Sequence, residues 1–386
     1  MYNFDKKTNR RGIDSLKWDC KENELPMWVA DMDIEAPQFI IDSLIKRANI
    51  GTYGYSIVPD EYFEAFSAYW KRRHNVDYKV EWMVYSTGIV ASISSAVKKL
   101  TTPAENVLIQ SPVYNCFFSS IRNAGRNILS SDLVYKNGEY YVDWTDLEKK
   151  LKDPQTTLMI LCNPHNPVGK VWTKDELARI GRLCKENGVI VISDEIHCDF
   201  VTPNKHYTPF ISASEENKDI SITCLSTGKT FNLAGLHSAC NVIPNPFLRH
   251  KFWRGINTDE CGEANFFAIH PNIEALNKGD KWVDELIPYI ENNKNYFKNY
   301  IEERLPHIHV VPSEATYLLW VDISFYSNDG DELAEIIRKK TGLWVNGGSS
   351  YGECGKHFLR INLGTQFYNV KDGASRLVEA LKEYEK

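Results

Sequence analysis

TLMILCNPHNPVG (157–169) and VIVISDEIHCDF (189–200) decide the fold, because each begins as a continuous apolar run and ends in polar residues. Between them, Lys174–Asn187 repeats its apolar residues at helical spacing. A strand apolar on both faces, a helix and a second such strand make a parallel unit buried on both sides. Working outward, WMVYS (82–86), NVLIQ (106–110) and ISITCLS (220–226) read as further strands. Ile89–Leu100 and Asp146–Leu151 read as helices between them. The spacing therefore predicts an α/β domain with a mostly parallel central sheet over about 51–281. Beyond it come a long helix at about 284–304 closed by Pro306, ATYLLWVDI (315–323), a helix at 331–341, FLRINLG (358–364) and a final helix. This predicts a smaller α+β domain formed by 1–50 together with 282–386.

Composition bounds the function. The chain has 386 residues, enough for roughly two or three domains. Hydrophobic residues make up 43% and charged residues 25%, which excludes disordered and fibrous classes. A net charge of −6 lacks the basic field of a nucleic-acid binder, so no nucleic-acid partner is expected. No apolar run approaches the roughly 18 residues of a membrane span, and MYNFDKKTNRR at the start has no apolar signal core. The nine cysteines show no CxxC pairs and no metal-ligand spacing, so reduced thiols and no metal site are expected. These features predict a soluble cytoplasmic protein.

Ligands of open α/β sheets bind beyond the carboxyl ends of the strands. Thr87-Gly88 follows the first strand, and Asn163 and Asn166 lie among prolines after 157–162. Asp194, Glu195 and His197 follow 189–193, and Gly228-Lys229-Thr230 follows 220–226. Each has an ordinary explanation: Asp194 as a helix cap, the asparagines as turn formers, Lys229 as a solvated charge. Their coincidence at one sheet edge favours an anion-binding enzyme with an acid and a lysine. No GxGxxG follows a first strand, and no GxxxxGK[ST] phosphate loop is present.

The motifs resemble the fold-type-I pyridoxal 5′-phosphate (PLP) enzymes of the class I/II aminotransferase superfamily. Within it they are most similar to the MalY/PatB-type cystathionine β-lyases, or C–S lyases. The resemblance runs through LPMWVADMDIEAP (25–37), YGYSIVP (53–59), STGIV (86–90) and QSPVYNCF (110–117). It continues in LCNPHNPVGKVWT (161–173), SDEIHCDF (193–200), GKTFNLAGLH (228–237) and FLRINLG (358–364).

The resemblance implies that Lys229 is the catalytic lysine that carries PLP, with Asp194 facing the pyridine nitrogen and Asn166 the ring oxygen. Tyr114 would stack on the ring, with His197 behind Asp194. Ile89 and Val90 amides and the Ser226 hydroxyl would take the phosphate. Tyr55 resembles a tyrosine that reaches the phosphate from a neighbouring subunit, which implies a homodimer. Arg360 would bind the α-carboxylate of an amino-acid substrate, assisted by the amide of Ala30. The implied activity is β-elimination from cystathionine or another S-substituted cysteine. The alternatives are an aminotransferase using the same residues, a PLP-binding regulator, and a lyase acting on a larger conjugate.

Three kinds of departure from the family pattern stand in the sequence. His237 stands where many aminotransferases carry an arginine, eight residues after the lysine. Gly228 replaces a serine common before that lysine. Ala91-Ser92 and Asn115-Cys116 replace prolines usual in the lyase group, the latter pair at the expected substrate entrance.

Overall fold

The computed structural model describes residues 1–385. Its main sheet holds seven strands: β1 (Met83–Ser86), β2 (Asn106–Ile109), β3 (Asn127–Ser130), β4 (Thr156–Cys162), β5 (Ile190–Asp194), β6 (Ser221–Leu225) and β7 (Ala239–Val242). Their order is β1-β7-β6-β5-β4-β2-β3. Only β7 runs antiparallel to its neighbours. The strands expected from the apolar runs are present within about one residue. Sequence reading missed β3 and β7, for different reasons. β3 is a half-exposed edge strand, and β7 has the mixed composition ACNV.

Helices α1 (Asp60–His74), α2 (Ile89–Leu100), α3 (Lys174–Glu186), α4 (Asp280–Glu302) and α5 (Phe367–Leu381) position the site. α2 buries Ile89, Ile93, Ala96 and Val97 against the sheet, the spacing of one helical face. Burying each larger aliphatic side chain contributes about 1.5–3 kcal/mol. α3 begins at a capping box, with Thr173 accepting from the Glu176 amide while the Glu176 carboxylate accepts from that of Thr173. α4 corrects the expected 284–304 helix. It starts at Asp280, contains Pro288, and ends at Glu302, short of Pro306. Pro288 lies in the third turn, beyond the first-turn positions that carry no intrahelical amide bond.

A second, antiparallel sheet holds β8 (His309–Val310), β9 (Leu318–Asp322), β10 (Asn346–Gly347) and β11 (Phe358–Asn362), ordered β8-β9-β11-β10. Leu25–Pro26 pairs in parallel with Leu343–Trp344, so residues from both chain ends meet here. Leu25, Met27, Phe297, Leu319, Ile361 and Leu377 belong to its core. Among the described residues, no helix is long and apolar enough to cross a membrane.

Candidate active site

Strand register brings the polar residues together. Asp194 at the end of β5 lies opposite Cys162 on β4 and Cys224 on β6. Asn163 and Ser226 thus begin the loops on either side of it. A cavity of about 370 Å³ opens there, lined by Asp194, Asn166, Tyr114, His197, Ser226 and Lys229. Gly88, Ile89 and Val90 form another part of its wall, and Ala30 and His237 reach it from elsewhere in the chain.

The floor holds two opposite charges with few partners. Asp194 is 3% exposed, and its carboxylate accepts the Ile196 amide at 3.2 Å. Burial pushes its pKa up to about 6, opposed by that amide and by Lys229. Burial likewise pushes the Lys229 amine down to about 8, reinforced by repulsion from Arg360. Lys229 Nζ donates to the Ala30 carbonyl, which also accepts the Tyr317 hydroxyl at 2.9 Å. Burial holds His197 well below its ordinary pKa, so the ring is neutral. Its Nδ1 is buried without a hydrogen-bond partner among the described residues.

The anion end is built from backbone. Gly88 precedes α2 at φ +143°, a conformation that side chains strain to adopt. No side chain caps α2, so its first-turn amides stay available for an anion. Ser226 lines the same cavity, its Oγ donating to the Ser238 carbonyl at 2.8 Å and accepting the Gly228 amide at 3.1 Å. Val90, 41% exposed, sits on the rim.

Arg360 projects from β11, 4% exposed. Its Nη2 donates to the Trp28 carbonyl at 2.8 Å, and Nη1 lies 3.5 Å from Asn166 Oδ1. Its Nε is buried without a partner among the described residues. A guanidinium held by neutral carbonyls, with donor capacity left over, is suited to a carboxylate. Asn362, two residues on, fixes the facing segment by donating to the carbonyls of Val29 and Asp31. Sequence reading missed Asn362, although its two-residue offset from Arg360 on one strand signalled a shared face.

Tyr55 is not brought to this cavity. Its side chain is fully exposed, beside a separate groove of about 830 Å³ shared with Trp253 and Tyr85.

The motif of the aminotransferase class I and II family matches residues 31–377. The chain belongs to that family. It is 40% identical to cystathionine beta-lyase PatB of Bacillus subtilis (strain 168), over 98% of this chain and all of the relative. A PLP-bound structure from Clostridium difficile 630, provisionally called an aminotransferase, superposes with TM-score 0.95 at 38% identity. That match covers 99% of this chain and 100% of the other. The PLP-bound C–S lyase from Staphylococcus hominis superposes with TM-score 0.92 at 32% identity, over 99% and 98% of the two chains. The fold is that of the fold-type-I PLP enzymes.

The residues present fit PLP. The partly satisfied Asp194 carboxylate suits a pyridinium, the α2 amides suit a phosphate, and a lysine of lowered pKa lines the same cavity.

Proposed function

We propose that this chain is a PLP-dependent carbon–sulfur β-lyase of the PatB/MalY type, cleaving cystathionine or a related S-substituted L-cysteine. The single observation that carries this is the full-length 40% identity to PatB, joined to a cavity whose charges suit PLP. When bound, PLP supplies an electron-withdrawing ring that stabilises negative charge at the substrate Cα.

Everything else is the work of this chain. Lys229 would carry PLP; with its pKa near 8, about a tenth of the amine is neutral at pH 7. A neutral amine is the nucleophile for a carbonyl and, once displaced, the base that takes the Cα proton. Asp194 would hold the ring nitrogen protonated, and Asn166 would face the ring oxygen. Tyr114 would cover one ring face, with neutral His197 beside it. Ile89, Val90 and Ser226 would hold the phosphate. Arg360 would take the α-carboxylate, with Ala30 beside it. The electron pair left at Cα forms a double bond to Cβ as the C–S pair departs with the thiolate. The resulting aminoacrylate takes up water to give pyruvate and ammonia.

The test is pyruvate release from L-cystathionine. We expect continuous pyruvate, ammonia and thiol without any added 2-oxo acid. Turnover that stops after one equivalent until a 2-oxo acid is supplied would make the protein an aminotransferase.

We also propose a cytoplasmic homodimer, with domains at 51–281 and at 1–50 plus 282–386. Tyr53, Tyr55 and Ile57 are 60%, 100% and 81% exposed, an apolar run that a second copy would cover. In such a dimer the partner's Tyr55 would reach the phosphate. Sedimentation should give twice the chain mass; an active monomer would exclude this arrangement.

A further inference from the structure

Behind the cavity, five residues past Asp194, lies a buried carboxylate that the proposed chemistry does not use. Asp199 accepts three hydrogen bonds and faces a guanidinium. Oδ1 takes His74 Nε2 at 3.0 Å and faces Arg73 Nε at 3.5 Å. Oδ2 takes the Tyr69 hydroxyl at 3.1 Å and the Thr230 hydroxyl at 2.7 Å. His74, Cys198 and Asp199 offer ligand atoms within 4.8 Å of one another, the spacing of a metal site. The neighbours argue against a cation. Both carboxylate oxygens are already committed, and a guanidinium lies 3.5 Å from Oδ1. Although burial opposes ionisation, His74, Arg73 and Thr230 hold the acid below its ordinary pKa. This is a hydrogen-bond hub built around a fixed negative charge.

What the hub reaches is Thr230, the residue next to the lysine. Thr230 follows Lys229 in a turn that belongs to neither helix nor strand. That turn is closed by the Phe231 amide on the Thr227 carbonyl at 2.9 Å and the Leu233 amide on that of Gly228 at 3.0 Å. Its side-chain anchors are Thr227 to Asn272, Asn232 to Met32 and Ile34, and Thr230 to Asp199. The last lies nearest Lys229. Asp199 is in turn fastened by Tyr69, Arg73 and His74 from the end of α1. Arg73 also reaches Asp284 of α4 at 2.9 Å.

We infer that Asp199 is a positioning residue for Lys229, acting through the Thr230 hydroxyl to fix the turn that presents the amine. This rests on Lys229 carrying PLP, not on which reaction follows. An amine that must serve as both attachment point and base tolerates little displacement, and about 1 Å can cost 10²-fold.

The decisive pair is Thr230→Val, which keeps the shape and removes the hydroxyl, and Thr230→Ser, which keeps the hydroxyl. Two readouts on purified holoenzyme are needed: the pH midpoint of the visible PLP absorbance, and kcat and KM for L-cystathionine. We expect Thr230→Val to move the midpoint by about half a unit or more. Its kcat should fall about 10- to 100-fold with KM within about threefold. Thr230→Ser should restore both. Asp199→Asn should resemble Thr230→Val; if it does not fold, the Thr230 pair still decides. A wild-type midpoint and kcat in Thr230→Val would overturn the inference, as would Thr230→Ser being equally impaired. A shifted midpoint in a protein that shows no elimination supports the positioning role and overturns only the lyase reading.

Discussion

Two charge clusters meet at the segment 28–33, and they are built in opposite ways. On one side lie buried Asp194 and His197 and half-buried Lys229, all sparsely partnered. Asp194 is raised to about 6, Lys229 lowered to about 8, and His197 held neutral. On the other side Asp33 accepts Lys17 at 2.7 Å, Arg10 at 2.9 Å and Trp18 Nε1 at 2.6 Å. Arg10 also pairs with Asp31 at 2.6 Å. There, despite burial, Lys17, Trp18 and Arg10 keep the Asp33 acid below its ordinary range. The acids Asp194 and Asp33 are buried alike, at 3% and 2% exposed, so pairing makes the difference between them. The unpaired set is poised for a ligand that brings its own charge. The paired set welds the N-terminal arm to the segment that offers Ala30 to Lys229 and Trp28 to Arg360.

The largest effect should come from the poised side. Lys229→Ala should lower pyruvate release from L-cystathionine by about 10³-fold, the scale of a positioned base. Retention of near wild-type turnover would remove Lys229 from the chemistry and break the contrast. On the welded side, Asp33→Ala leaves Lys17 buried beside Asp31 alone, 3.8 Å away. Removing one partner of a buried pair typically costs 3–5 kcal/mol, and the remaining Asp31 argues for about 3. Amide exchange over residues 28–33 should then quicken about 100-fold. Unchanged protection would show that the arm is held by something other than these charges.

The contrast also marks what could be read in the sequence. Apolar runs place β1, β2, β4, β5 and β6 because a doubly covered parallel strand has few other readings. The site was legible for the same reason: Asp194, Asn166 and Lys229 each follow a strand, and the sheet carries their loops to one edge. The Lys17–Asp33 pair was not legible, since its partners lie sixteen residues apart in segments without periodicity. Asp199 was passed over because its partners come from α1 and from the Lys229 turn, both distant in the chain. Tyr55 was found through the family motif, yet within one chain it stays away from the cavity. Local patterns reveal elements and strand ends; long-range polar pairing has no local signature.

The smallest predicted effect sharpens the comparison through pH. His165 is fully buried on the loop that carries Asn166, with Nε2 2.8 Å from the Pro112 carbonyl. A carbonyl only accepts, so Nε2 carries the proton, and Nδ1 is left without a partner among the described residues. Protonating Nδ1 would bury a charge without a counterion. Burial therefore pushes the pKa from its ordinary 6.5 down to about 4, with Lys170 adding repulsion. Between these values the unfolded chain binds a proton that the folded chain refuses, so stability rises with pH across that window. The contribution is fully present above pH 6.5 and is lost as pH falls toward 4. At pH 5, about 1.5 units below the ordinary value, the loss is about 2 kcal/mol. In His165→Gln this component should vanish, and the pH slope of stability between 4.5 and 6 should flatten by about one proton. An unchanged slope would mean that His165 is protonated in the folded state, which would place it with the paired arm rather than with the poised cavity.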